Sequence, residues 1–464
     1  MIKYQKNIDN VVVLTFDMKG QSTNIINHHL SKAFLPVLEK LESDLARRQL
    51  KGLIITSAKK KFLEGGDLGY LFEAERGGIA DIYEQIEALK KIYRRLETLG
   101  VPVVAAINGS ALGAGYELTL ACHYRVAIRK PKMLIGLPEV NLGLIPGVGA
   151  ISRLTWLLGI EKTLPILIEG RKVKPDTALS WGLLDELVED EKSLIEQAKK
   201  WIDENPTTQQ PWDKRNGVYE ISDIKSRKIA NWITVTAAQL MKKYRRNHPS
   251  VTAILDIMVN NISLDFDTAN RIESRYFTQL ICHPTARNMT KCFWFDLNKI
   301  KKGIARPRGF GRFRPRKIGV IGAGQMGSSI AALSSLVGLE IVLKDVSIPI
   351  AKRGKLRAQK VLEKQASFEI TKKEVETALN LIKPTNDVKD FEDCDLVLEA
   401  VFENISVKTK VIREASNHMD EYSMFASNTS TLSISRLAKE STMPENFIGL
   451  KFFNPVETTR IVEI

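Results

Sequence analysis

Two glutamates stand in surroundings suited to proton transfer. Glu117 lies in NGSALGAGYELTL, where an apolar strand (Val103 to Ile107), an Asn-Gly turn and a run of small residues lead into a helix. That helix is expected to begin at about Gly115 and to carry Glu117 in its first turn, where the dipole favours a carboxylate. A helix start leaves its first N–H groups unpaired, and small side chains keep the backbone approachable. Gly113-Ala114-Gly115 is therefore a candidate oxyanion-binding turn. Glu139 follows a second strand in IGLPEVNLGLIPGVG, beside Pro138 and among apolar residues, so a rigid loop in a poorly solvated cleft is expected there. Two carboxylates in one cleft can divide general acid and general base work on a water molecule. Taken singly, each has a plainer reading, Glu117 as a helix cap and Glu139 as a surface-loop acid.

A second chemistry is written further along. Lys317 to Ile321 reads as a short strand, Gly322-Ala323-Gly324-Gln325-Met326-Gly327 gives G-x-G-x-x-G, and Ser328 to Val337 continues as a helix. A further strand, Leu339 to Leu343, ends at Asp345. In that order the glycines admit a pyrophosphate to the helix N-terminus and the acid takes the ribose hydroxyls, which favours NAD over NADP.

The elements that must position these residues follow from apolar spacing. Val11 to Phe16 alternates as a strand, Asn27 to Arg48 has helical spacing with a charged outer face, and Gly52 to Thr56 is an apolar strand. After it, SAKKKFLEGGDLGYL is a loop entering a helix. From Glu191 to about Asn298 the pattern is helical, with Trp201, Trp232, Phe266, Phe277 and Phe293 taken as packing residues. Lys299 to Lys317 is basic, rich in glycine and proline and free of acid, and reads as an exposed linker. Phe310 and Phe313 among its arginines offer a nucleic-acid or membrane contact as the alternative.

The two glutamate segments resemble the enoyl-CoA hydratase/isomerase (crotonase) family, whose G-G-G-x-E and P-E-x-x-L-G-x-x-P-G segments each supply a catalytic glutamate. The resemblance implies that Glu117 and Glu139 are that pair and that the Ala114 N–H is one oxyanion donor. Ala114 replaces the middle glycine of the family pattern. It also implies that the Gly66 N–H is the second donor, at a position where the family commonly has alanine, with Asp67 opening the next helix. Lys59 to Lys61 would face coenzyme A phosphates, or form a solvated surface run. Lys59, Phe62 and, by position, Asp296 are the residues assigned to the acyl-CoA substrate. Gly170 to Val188 resembles the segment that closes the crotonase core.

The C-terminal part resembles 3-hydroxyacyl-CoA dehydrogenase. There Gly322, Gly324, Gln325, Met326, Gly327 and Asp345 would hold NAD, joined by Val401, Phe402, Glu403 and Lys408 of DLVLEAVFENISVK and by Asn454. Ser430 would orient substrate and Glu463 would partner the catalytic acid-base residue. Lys451 stands where the family has histidine; histidine accepts a proton near neutral pH, whereas an unshifted lysine is already protonated. The chain ends at Ile464, short of the helical domain that completes that family's site. The order of parts resembles the multifunctional α-subunits of bacterial fatty acid oxidation complexes. It implies an α/β architecture: a crotonase domain at 1–190, a helical extension at 191–298, the basic linker at 299–317 and a Rossmann-type NAD-binding domain at 318–464. The expected function is hydration of 2-enoyl-CoA, with enoyl-CoA isomerisation or non-catalytic acyl-CoA binding as alternatives. The resemblance leaves a thiolase subunit as a partner and oligomer formation as expectations.

Length and composition are compatible with this. At 464 residues the chain is expected to form about three domains. Its N-terminus moves straight into a strand pattern, no apolar run approaches the roughly 20 residues that span a bilayer, and a cytoplasmic protein without integral membrane association is expected. Cys122, Cys282, Cys292 and Cys394 show no metal-ligand spacing with one another or with histidine, so neither a metal nor disulfides are expected. The net charge of +14 fits phosphate-bearing ligands such as coenzyme A and NAD as well as nucleic acid, for which no folded reading motif is present.

Overall fold

The computed structural model describes all residues except 75–77, 215–226, 305, 310, 367–369 and 460. It forms two compact units, Met1–Arg306 and Pro307–Ile464.

In the first unit, six strands line up in the order Ile2–Lys6, Val11–Phe16, Gly52–Ser57, Val103–Ile107, Tyr124–Ile128 and Glu186–Val188. Only the first pair is antiparallel. Successive side chains of a strand point to opposite faces, and the sheet is apolar on both. Leu53, Ile55, Val103 and Ala105 enter one core, while Ile54, Val104 and Ala106 enter another. Leu194, Ala198 and Ile202 of helix Glu191–Glu204 cover the second face. Asp190 starts that helix by accepting from the Ser193 N–H at 2.8 Å, as an N-cap should.

A smaller sheet decides where the chemistry sits. Leu63–Glu64, Ala111–Leu112, Ile135–Gly136 and Lys172–Val173 pair side by side in that order. Three of them follow directly on strands of the large sheet, so the loops leaving those strands are stacked against one another. Leu63 pairs with Ala111 and Ala111 with Ile135, which aligns the segments leading to Gly66, Ala114 and Glu139. Helices Pro249–Ser263 and Phe266–Cys282 pack on each other and on Ala150–Leu158, within the same unit. The basic stretch does not begin as a linker: Leu297–Lys301 is helical, and hydrogen-bonded turns follow it through Ile304. Phe310 lies outside the described residues, and Phe313 is exposed.

The second unit is a parallel sheet ordered Ile382–Thr385, Glu340–Lys344, Lys317–Ile321, Leu396–Glu399, Met424–Ser427, Phe447–Gly449. Strand order reverses between Lys317–Ile321 and Leu396–Glu399, the place where such sheets bind nucleotides. Helix Gln325–Leu336 begins at Gln325, earlier than the sequence pattern suggests, because Gly324 takes the cap position.

Candidate functional site

Helix Ala114–Leu120 places Glu117 in its first turn, and Gly113 makes the turn into it with φ +56° and ψ −133°. Glu117 is buried. Its Oε1 accepts from the N–H groups of Val148 and Ala150 at 2.7 and 3.0 Å, and its Oε2 from Gly147 at 3.3 Å. Glu139 opens the 3₁₀ turn Glu139–Leu142 behind Pro138. Its Oε1 lies over Gly113, since a Cβ placed on that glycine would stand 2.4 Å from it. Its Oε2 is enclosed and has no hydrogen-bond partner among the described residues. Glu139 thus lies over the turn that opens the helix of Glu117, near enough for the charge of Glu117 to act on it.

Their environments push both acids up. Burial is the first cause for Glu117 and the charge of Glu273 the second; the Val148 and Ala150 N–H groups pull the other way, leaving it at about 7. Glu139 is raised by burial first and by the charge of Glu117 second, to about 8. Two such groups titrate as a pair, and their burial together favours one shared proton over two anions.

The expected oxyanion donors are free. Gly65 and Asp67 both make backbone hydrogen bonds, to Leu112 and Ile26, while the Gly66 N–H between them has no acceptor among the described residues. The Ala114 N–H, first in its helix, has none either. The small sheet sets these two loops together: the same Cβ on Gly113 would stand 3.4 Å from the Gly65 Cα. Gly115 cannot be larger, because its Cβ would lie 2.2 Å from the Leu63 carbonyl oxygen. Asp67 caps helix Leu68–Ala74, accepting from the Tyr70 N–H at 3.0 Å.

Three substrate assignments fare differently. Phe62 is fully buried in the core, so it supports the loop and presents no surface to a ligand, a correction to its expected role. Lys59 is ion-paired with Asp17 at 3.0 Å. Asp296 is paired with Lys291 at 2.6 Å and with Lys299 at 3.6 Å.

Residues that spacing did not single out surround Glu117. Glu273 of helix Phe266–Cys282 is completely buried and accepts from the Gly149 N–H at 2.8 Å, the Ser152 N–H at 3.0 Å and the Ser152 hydroxyl at 2.9 Å. Lys90 is buried with its Nζ on the Asn270 carbonyl at 2.6 Å. Arg153 donates to Glu97 and to the Val148 carbonyl. The signal was present but faint: Glu273 and Lys90 interrupt the apolar stripes of their helices, where a charge is costly unless paired.

In the second unit, Gly322 turns with φ +98°, and a Cβ on Gly327 would lie 1.9 Å from the Gly322 carbonyl. Gly324 is open, with nothing within 4 Å of its Cβ position, so the backbone at the helix N-terminus can be approached. Asp345 ends its strand and accepts from the Ala323 N–H at 2.7 Å, which ties it to this loop. A cavity of about 290 Å³ is lined by Met326, Val401, Glu403, Ser430, Lys451 and Asn454 among others. Gln325 donates to the Asn454 side chain at 3.3 Å. Phe402 is exposed and does not line this cavity. Lys408, expected to contact nucleotide, is instead buried, with both Glu399 oxygens at 2.8 Å and Glu403 at 3.4 Å. Burial alone would raise the Glu403 carboxyl, but donors from Thr429, Ser430 and Thr431 and the charge of Lys408 outweigh it and hold it down at about 2. Lys451 donates to the Ser430 hydroxyl and faces Glu463 across a short antiparallel pair.

Comparisons with known proteins agree with this division. Residues 6–212 match the enoyl-CoA hydratase/isomerase family, and 317–464 match the 3-hydroxyacyl-CoA dehydrogenase, NAD binding domain. The chain is 32% identical over 464 residues to the fatty acid oxidation complex subunit alpha of Shewanella amazonensis, covering 98% of this chain and 64% of that one. It is 32% identical over 467 residues to the same subunit of Acinetobacter baylyi, covering 100% of this chain and 64% of that one. It therefore spans about 64% of the length of these curated relatives. A solved (S)-3-hydroxybutyryl-CoA dehydrogenase from Ralstonia eutropha is 34% identical over 32% of this chain and 53% of its own, with a TM-score of 0.31. The chain is thus a homologue of the alpha subunits of fatty acid oxidation complexes, in which an enoyl-CoA hydratase/isomerase domain precedes a 3-hydroxyacyl-CoA dehydrogenase NAD-binding domain.

Proposed function

We propose that the first unit hydrates 2-enoyl-CoA thioesters to 3-hydroxyacyl-CoA. The observation that carries this reading is Glu139 over the turn that opens the helix of Glu117, within reach of its charge and beside two N–H groups with no acceptor among the described residues. The thioester carbonyl accepts from the Gly66 and Ala114 N–H groups, which stabilise the enolate oxygen as charge builds. Glu117 is held by three backbone donors that favour its anion, so it takes the proton from water as the oxygen attacks C3. Glu139, with one oxygen enclosed and unpartnered, carries the proton that goes to C2. An isomerase needs a single carboxylate to shuttle a proton; the presence of both favours hydration, with isomerisation as a side activity. The test is loss of enoyl absorbance from crotonyl-CoA. Glu117→Gln and Glu139→Gln should each slow it by about a hundredfold or more while acyl-CoA binding survives. Near-normal turnover in either variant removes that glutamate from the mechanism.

For the second unit the reading is narrower. The residues fit NAD: the open Gly324 at a helix N-terminus would take the pyrophosphate, and Asp345 the ribose hydroxyls. Bound NAD supplies a hydride acceptor. The proton acceptor that 3-hydroxyacyl oxidation also requires is the weak point, because Lys451 is a donor to Ser430. NAD binding without useful oxidation is the proposal. A partner chain belongs to the same reading and is supported by relatives that are named as subunits of a complex; a thiolase subunit as that partner, oligomer formation and a cytoplasmic location rest on the family resemblance. The absence of any membrane-spanning helix among the described residues is compatible with it.

A further inference from the structure

Helix Ala150–Leu158 begins under two carboxylates. Glu117 takes the N–H groups of Gly147, Val148 and Ala150, and Glu273 takes those of Gly149 and Ser152 together with the Ser152 hydroxyl. The five amides interleave along one turn of chain, with Gly149 of the Glu273 set lying between Val148 and Ala150 of the Glu117 set, so neither acid can move without moving the segment that holds the other. The turn is gripped from its other side as well, by Arg153 on the Val148 carbonyl at 2.7 Å. Gly149 must be glycine here: its φ is +99°, and a Cβ would stand 2.1 Å from Arg153 Nη1.

Capping alone does not call for Glu273. A neutral acceptor could satisfy these amides, whereas a second full negative charge, completely buried and beside Glu117, is costly. Its described hydrogen bonds come from two N–H groups and a hydroxyl, with no cation in direct contact among the described residues. We infer that Glu273 is a positioning residue for the hydration, which its carboxylate serves by fixing where the Glu117 carboxylate sits and by governing how readily Glu117 gives up its proton. The inference rests on the hydratase reading. A base whose conjugate acid titrates near neutrality draws a proton from water more effectively than an ordinary carboxylate, and the charge of Glu273 pushes Glu117 in that direction. The other groups acting at this point are Lys90, Glu87 and Tyr93 of helix Ile79–Glu97, Arg153 of Ala150–Leu158, and Glu139 of the 3₁₀ turn. Lys90 is a buried cation of opposite sign to Glu273, so the two should act on Glu117 in opposite directions.

The experiment compares pH profiles of kcat/KM for crotonyl-CoA hydration by the full chain. Glu273→Gln should move the acid limb down by about one pH unit, with the plateau lowered about tenfold. Lys90→Met should move the limb up. Glu273→Asp keeps the charge but retracts it, so the limb should stay while kcat falls. Limbs that do not move, or that move the same way in Glu273→Gln and Lys90→Met, reduce Glu273 to a helix cap and overturn the inference. If Glu273→Gln loses its cooperative melt, Glu273→Asn, a shorter neutral acceptor, carries the same test against Lys90→Met. Should the wild-type chain hydrate nothing, the hydratase reading fails by itself. Infrared titration of the protonated-carboxyl band, as the difference between each variant and its Glu117→Gln counterpart, then still reports whether Glu273 and Lys90 shift Glu117 in opposite directions.

Discussion

Gly113→Ala tests the geometry of the paired glutamates more directly than removing either one. At φ +56° and ψ −133° the position lies where only glycine is comfortable, and holding an alanine there costs about 1–3 kcal/mol. The added methyl would also stand 2.4 Å from Glu139 Oε1, against the 3.4 Å at which ordinary contact begins. Glu139 must therefore retreat by about 1 Å, and a misplacement of that size costs on the order of a hundredfold in rate. Strain alone predicts a melting temperature a few degrees lower and an unchanged kcat. Gly20→Ala supplies that comparison, since Gly20 has φ +75° and nothing within 4 Å of its Cβ position. Hydration of crotonyl-CoA, followed with thermal melts of both variants, separates the terms. The expected outcome is a similar loss of stability in both and a loss of about two orders of magnitude in kcat only for Gly113→Ala. A kcat within a few-fold of wild type in Gly113→Ala, or an equal fall in Gly20→Ala, refutes the placement of Glu139.

Glu139→Gln should also change how stability depends on pH. The native state holds this proton more tightly than the unfolded chain, so wild-type stability falls as pH climbs from the ordinary carboxylate range to about 8; the variant's advantage in melting temperature should grow from pH 5 to pH 8, and a constant difference would contradict it. Calorimetry should detect NAD binding, while 3-hydroxybutyryl-CoA should yield no useful rate of NADH formation. Undetectable binding sinks the first half of that expectation, and robust NADH production sinks the second. Binding of DNA by the basic stretch should be weak and abolished by salt; tight binding at physiological salt that disappears on neutralising Arg306 to Lys317 would overturn this.

How much could be read in advance depended on the range of the interactions. Strands Val11–Phe16 and Val103–Ile107 were legible because alternation and apolar runs are local consequences of burial. Glu117 and Glu139 were legible because each sits in a segment whose glycines and prolines betray an unusual backbone. Glu273 was not. It reaches the site from a helix more than a hundred residues later, and nothing near it in the chain announces the Gly149 and Ser152 amides it satisfies. A buried acid on an apolar stripe was the available sign, and it indicates only that a partner exists. Phe62 was misplaced for the converse reason: proximity in sequence to a ligand loop says little about direction, and its side chain turns into the core.

The dehydrogenase half shows the same limit from another side. Gly322, Gly327 and Asp345 act through backbone approach and strand ends, so their motif carries most of their structural meaning. Lys408 and Glu403 act through side-chain contacts. Lys408 sits under the loop, neutralising Glu399, and Glu403 gathers the donors of Thr429, Ser430 and Thr431. That arrangement turns Lys408 from an expected nucleotide contact into part of the frame that fixes Ser430, while Glu403 both holds that frame and lines the cavity. Ser430 in turn receives its hydrogen bond from Lys451, so its hydroxyl is oriented by a donor where the related histidine could also accept. On the proposed reading a substrate hydroxyl meeting this pair finds no ready acceptor for its proton, whereas the glycine loop that would cradle the dinucleotide has no need of one. Cofactor binding and proton transfer depend here on different kinds of contact, backbone approach for the first and a side-chain acceptor for the second.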